Sequence, residues 1–201
     1  SAIDIAAAVN AETGKAGLVV RDFEYRMWDN LSTVWDGWGA SPWSADGAEC
    51  TFADPPMVEA MTFIHDAIFE RNAMPGPGTT ADFFSGDAAL TITQISRASL
   101  LPRDGFDWDL VPLPAGPAGS YSVIGQAGIG VFRSGANPDL AAEFLAFMTN
   151  PENAVRLAQF FPPPRLGLLN VETLGRTNPL LSAEQLEDVV IDGIATGVVK
   201  P

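Results

Sequence analysis

Apolar positions fall into runs and periods that divide the chain into short alternating elements. "AIDIAAAVNAE" reads as a helix stopped by Gly14, and "GLVV" (17–20) as a buried strand. Met27, Trp28, Leu31, Val34, Trp35 and Trp38 recur at steps of three and four, which predicts a helix ended by Gly37 and Gly39. A turn-rich hairpin follows around Asp46-Gly47. "DPPMVEAMTFIHDAIFERNAMPGPG" carries the clearest helix, capped by Asp54, with Pro55 at its first position. Met57, Met61, Ile64, His65 and Ile68 form its expected buried stripe. Further on, a short helix, a glycine turn and a strand are expected over 80–93, and a second strand in "FDWDLVPLP". Asn137-Pro138-Asp139 and Asn150-Pro151-Glu152 open two helices with the same grammar, a capping Asn, an N1 Pro and an acid. Leu140, Phe144, Leu145 and Met148 are the expected buried face of the first of these. Ser182 and Gln185 spell a capping box for a last helix with Leu186, Val189, Val190 and Ile194 inward. Strands alternating with helices predict an α/β fold.

Composition narrows the partners. The chain has 201 residues, enough for one large or two small domains, and 25 acids against 11 bases give a formal charge of −14. Nucleic acid is an unsuitable partner, because its affinity comes largely from Lys and Arg neutralising phosphates, and an anionic membrane is disfavoured for the same reason. One cysteine, Cys50, excludes an internal disulfide, and with His65 as the single histidine no Cys/His metal site is available. No cofactor motif appears. Cys50 is expected to be a half-buried small residue and His65 a core histidine.

"GQAGIGVF" (125–132) invites comparison with a phosphate loop. The order is Gly125-x-x-Gly128-x-Gly130, no Lys follows, and the next helix opens only at Asn137, so neither a P-loop nor a dinucleotide fingerprint fits. Val131-Phe132 are expected to continue a strand. What remains is backbone kept bare for close approach, either by a packed helix or by a ligand. Nucleophile elbows are absent, while paired carboxylates for glycoside chemistry are not excluded by spacing.

Several stretches in order carry a resemblance. "FFSGDAALTI", "FDWDLVPLPAGP", "GQAGIGVF", "ANPDLAAEFLAFMTNPENA" and "PPPRLGLLN" resemble the extracellular solute-binding proteins of carbohydrate-uptake ABC transporters. The resemblance implies a periplasmic-binding-protein type II-like fold of two α/β lobes, with a sugar or polyol held between them and delivered to an ABC permease in the membrane. It implies a non-enzymatic protein, periplasmic or extracellular, with a lipid anchor compatible with the full-length form. Gly125 and Gln126 match the glycine-rich segment beside the solute, Arg165 the Pro-x-Arg, and Glu24 and Tyr25 a segment facing the cleft. Trp28, Trp35 and Trp38 are stacking candidates, although tryptophans at helical spacing more often belong to the core. Gln94 and Arg97 stand where relatives place an aromatic platform, which implies a more polar or anionic ligand, or stacking by a nearby tryptophan.

Against the family pattern the chain is expected to be a fragment, without the first part of the N-terminal lobe and the C-terminal helices. Residues 1–121 are expected to form the C-terminal-lobe core, 122–127 a hinge-crossing strand, and 128–178 a mainly helical segment of the N-terminal lobe. Residues 179–201 are expected to return towards the C-terminal lobe. Exposed apolar surface on the 128–178 helices would favour self-association. Two rival readings stay open, a glycoside-active enzyme using paired carboxylates and a solute sensor without transport.

Overall fold

The computed structural model describes residues 1–20, 28–79, 81–126 and 128–199, with the side chains of 28 and 29 outside that description. Helix α1 (Ala2–Thr13) starts at a capping box on Ser1 and stops at Gly14, whose φ of 70° is the left-handed conformation that glycine adopts without cost. Strand β1 (Ala16–Val20) follows and pairs in parallel with β2 (Ala88–Ile92), in the register Leu18 to Leu90 and Val20 to Ile92. A parallel pair needs a long crossover, and α2 (Ser32–Trp35) and α3 (Pro55–Phe69) lie within it. The tryptophan-rich segment is a broken helix: 3-10 turns at Trp28–Leu31 and Asp36–Trp38 flank α2, and Gly39 ends it at φ 65°.

The first core joins α1, β1, α2 and α3, with Trp35, Met57, Ala60, Ile64 and Ala67 buried at its centre. Burial at about 25 cal/mol per Å² of apolar surface makes this the main local source of stability. At Gly17 the strand touches α1 so closely that a Cβ would lie 2.1 Å from the Ala6 carbonyl oxygen. The face of α3 is Met57, Ala60, Ile64, Ala67 and Ile68. Met61 and His65, expected in the stripe, lie at its edge: Met61 is exposed, and the His65 side chain is solvent-facing, 3.1 Å from the Asp66 carboxylate and stacked near Phe69. The small residues Ala60 and Ala67 are buried instead, so apolar size misplaced the stripe. Cys50 is exposed as well; its backbone bridges to Trp43 across the Asp46-Gly47 turn, leaving its side chain outside the core.

The second core is built from Ala158, Leu174, Leu181, Leu186 and Val190, with Ile95, Leu101, Trp108 and Leu110 packed against them. It therefore draws on sequence from both sides of the expected crossing at 122–127. Helices α4 (Pro138–Met148), α5 (Pro151–Leu157) and α6 (Val171–Thr177) lead into a last helical run, α7 (Ala183–Gln185), a π-helical stretch at Leu186–Ile191, and α8 (Asp192–Thr196). The Ser182/Gln185 capping box forms as expected. Strand β3 (Val123–Ile124) pairs in parallel with β4 (Val198–Val199).

Three expectations are corrected here. The stretch 106–114 forms no ladder, because Pro112 and Pro114 lack donors and the Leu110 amide donates to its own neighbour Asp109 at 2.7 Å. The glycine run does not continue as a strand through Val131 and Phe132; the ladder ends at Ile124. The expected buried face of α4 is not buried: Leu140 and Phe144 are 64% and 60% exposed, and Leu145 and Met148 only half-buried. Among the described residues no helix is long and apolar enough to cross a membrane.

Candidate functional site

The site forms where the chain leaves one core for the other. Residues 116–121 dock on the end of the tryptophan segment: the Ala118 amide donates to the Gly37 carbonyl at 2.9 Å, and the Tyr121 hydroxyl donates to the Thr33 carbonyl at 2.7 Å. A Cβ at Gly116 would fall 2.1 Å from the Gly37 carbonyl oxygen, so this contact requires glycine. Burial, and then the Asp36 charge, push the Tyr121 phenol up to about 12, which keeps it protonated as a donor. From this anchor the chain enters β3, whose partner β4 holds it beside α8.

An open groove of about 2140 Å³ runs along this passage. That exceeds the roughly 300–1,000 Å³ of pockets for small ligands. One wall is β2 and the turn after it, with Gln94 and Arg97; another carries Asn30 and Thr33; Gly125 and Gln126 lie along it, and Thr149 and Arg165 contribute the far side. The Thr33 hydroxyl is already committed, donating to the Asn30 carbonyl at 2.6 Å. An aromatic cluster backs one end, with Phe83 edge-on to Phe84 and Phe106 at centroid distances of 5.7 and 5.5 Å. Asp109 also lines the groove; hydrogen bonds from the Gln185 side chain and the Leu110 amide hold its carboxyl below the usual range.

Five of the expected site residues thus share one groove: Gly125, Gln126, Arg165, Gln94 and Arg97. The backbone at Gly125 is exposed, a Cβ there would meet nothing within 4 Å, and its φ is not in the left-handed region. Neither packing nor conformation within the described structure demands glycine at this position. A Cβ at Gly128 or Gly130 would likewise meet nothing within 4 Å among the described residues. Arg165 is exposed and donates to the Thr149 carbonyl at 3.2 Å, which bridges two stretches of the same wall. Trp35 does not line the groove; it is 1% exposed in the first core, edge-on to Phe52, because its position on α2 points inward. Trp38 packs on Phe63 at 4.7 Å. Glu24, Tyr25 and the Trp28 side chain lie outside the described residues. Sequence reasoning missed Asn30, a buried polar residue within an apolar period, and the phenylalanines, whose doublet before Gly86 was the available signal.

Two cores and an open groove beside bare backbone are thus the features to compare with known proteins. Residues 3–155 match the bacterial extracellular solute-binding protein family, and the chain belongs to that family. No curated protein sequence matches it. Three solved structures share the fold. The ABC substrate-binding protein Lmo0181 from Listeria monocytogenes, in complex with cycloalternan, is 22% identical with a TM-score of 0.78, and the match covers 98% of this chain and 51% of that one. Maltose-bound MalE3 of T. maritima is 19% identical with a TM-score of 0.74, over 99% and 54%. The cyclic alpha-maltosyl-1,6-maltose binding protein from Arthrobacter globiformis is 18% identical with a TM-score of 0.70, over 100% and 52%. The fold is that of the type II periplasmic binding proteins, and the chain spans about half the length of these structures.

Proposed function

We propose that the protein carrying this chain binds a carbohydrate-type solute in the groove and delivers it to the permease of an ABC importer, outside the cytoplasmic membrane. One observation carries the reading: Gly125 is bare where nothing in the described structure needs it to be, and it faces the groove. Main-chain N–H and C=O groups meet sugar hydroxyls only where no side chain intervenes. Family membership supports solute binding, and the saccharides named for the three similar structures support a sugar. Gly125, Gln126, Gln94, Arg97 and Arg165 are the proposed contacts. Glu24, Tyr25 and Trp28 join them on the resemblance alone. The same support favours a binding protein over a glycoside-active enzyme.

Calorimetric titration of the intact protein against a panel of sugars and polyols tests this. Micromolar or tighter binding of one of them is expected, and Gly125→Val abolishes it while leaving the thermal midpoint unchanged, since the new side chain enters open space. A folded protein that binds none of the panel, or a Gly125→Val variant that binds as before, overturns the reading.

A further inference from the structure

The groove wall holds a cation without an anion. Arg97 lies in the 3-10 turn Ile95–Leu100 that follows β2, half-buried, with its guanidinium carbon 5.0 Å from the centroid of the Phe84 ring. Its Nε is buried and has no hydrogen-bond partner. None of the ion pairs among the described residues includes it. A half-buried charge that has lost part of its water and gained no counter-charge is costly, and proteins retain such groups where a partner arrives later.

The other arginines sharpen the point. Arg71, Arg156 and Arg176 are well exposed, yet each holds a carboxylate, from Asp4, Glu152 and Glu172 respectively. Acids are abundant here, at 25 in the chain. They line the groove too, but none pairs with Arg97: Asp87 accepts from the Ser85 hydroxyl at 3.0 Å, Asp109 from Gln185 at 2.7 Å, and Asp107 is in none of the ion pairs among the described residues. The remaining lining cations, Lys15 and Arg165, sit on the carbonyls of Gly86 and Thr149. A chain of net charge −14 therefore builds a groove where Lys15, Arg97 and Arg165 match Asp87, Asp107 and Asp109 in number.

We propose that Arg97 selects a solute bearing a carboxylate, so that the groove takes an acidic saccharide, one containing uronic-acid residues, in preference to a neutral one. The proposal rests on the reading of the groove as a saccharide site. The guanidinium lies beside the Phe84 ring, and its paired donors match a carboxylate in two parallel hydrogen bonds. A neutral sugar in the same place would exclude water from Arg97 and leave its charge unanswered. Selectivity of that kind comes as much from penalising the wrong ligand as from favouring the right one.

The test compares oligouronates (galacturonate, glucuronate and mannuronate tetramers) with their neutral methyl esters, and with maltotetraose, by calorimetry on the intact protein. At least one acidic tetramer is expected to bind tenfold or more tightly than its own ester. Arg97→Gln should cut that ratio by roughly ten- to a hundredfold, the range for hydrogen bonds to a charged group. Arg156→Gln removes the same charge from an exposed surface pair and should leave the ratio intact. If Arg97→Gln fails to fold, Arg97→Lys, which keeps the charge and loses the fork, should give an intermediate ratio. Tight binding of maltotetraose with no acidic preference, or a ratio that Arg97 variants leave unchanged, overturns this proposal and leaves sugar binding standing. A folded protein that binds no saccharide overturns both.

Discussion

Helices α3 and α4 are written in the same way and end up in opposite circumstances. Each opens on a proline at its first turn and carries an apolar stripe at helical spacing. Helix α3 buries five residues in the first core, packing on α2 and the 3-10 turn after it, whereas α4 buries none and leaves Leu140, Phe144 and Phe147 about 60% exposed. Periodicity states that a helix has an apolar face; it does not state what covers that face. The contrast extends to whole regions. The first core closes around Trp35 and Met57, while the stretch that holds α4 also exposes Phe132, Phe160, Phe161 and Leu166.

The largest expected effect sits at the tightest point of the closed region. Gly17→Val places a branched side chain where even a Cβ would lie 2.1 Å from the Ala6 carbonyl and 2.6 Å from that of Ala73, both backbone atoms with no room to yield. A loss of more than about 3 kcal/mol in denaturant unfolding is expected. The pairing with Gly125→Val makes this informative, because the same substitution in open space should leave unfolding unchanged. Equal effects at the two glycines would erase the distinction between packing glycine and bare glycine.

Truncations on the two helices come next. Met57→Ala empties a site that is 1% exposed and should cost about 2–5 kcal/mol. Phe144→Ala removes a larger side chain from α4 yet should change the stability of this chain by no more than about 0.5 kcal/mol, because that ring is 60% exposed. A Phe144→Ala cost equal to that of Met57→Ala in urea titration would mean that α4 is covered in solution.

What the sequence disclosed follows the same divide. Local grammar was legible wherever a few neighbouring residues decide the outcome: Gly14 and Gly39 as left-handed stops, Ser182 and Gln185 as a capping box, Asp46-Gly47 as a turn, and Ala88–Ile92 as a strand. It failed where distant partners decide. The Leu110 amide in the expected strand at 106–114 donates to its neighbour Asp109, and Ala67, not His65, is buried on α3. Residues 116–121 dock on Gly37 at the end of the broken tryptophan segment, a contact between residues some 80 positions apart that no local period encodes. Gly125, Gln126, Gln94, Arg97 and Arg165 line one groove, whereas Trp35 lies in the first core. The posture of Arg97 over Phe84, and the burial of Asn30, required the fold.

The smallest expected effect tests how far shared grammar carries shared energetics. Asn137-Pro138-Asp139 and Asn150-Pro151-Glu152 are equivalent as sequence, but their geometry differs. The Asn150 side chain accepts from the Asn153 amide at 2.9 Å, and its backbone is in the extended conformation of an N-cap. Its neighbour Asn153 adds a bond from its own side chain to the Phe147 carbonyl at 2.8 Å, tying the start of α5 to the end of α4. The Asn137 side chain makes no capping bond, with φ −139° and ψ 69° placing it outside the extended range. Asn150→Ala should therefore cost about 1 kcal/mol, and Asn137→Ala only a few tenths, in paired denaturant titrations. Were Asn137→Ala to cost as much as Asn150→Ala, the first cap would be formed in solution, and α4 would be held as firmly at its start as α5. The difference between the open and closed regions would then lie in side-chain cover alone and not in the backbone that supports it.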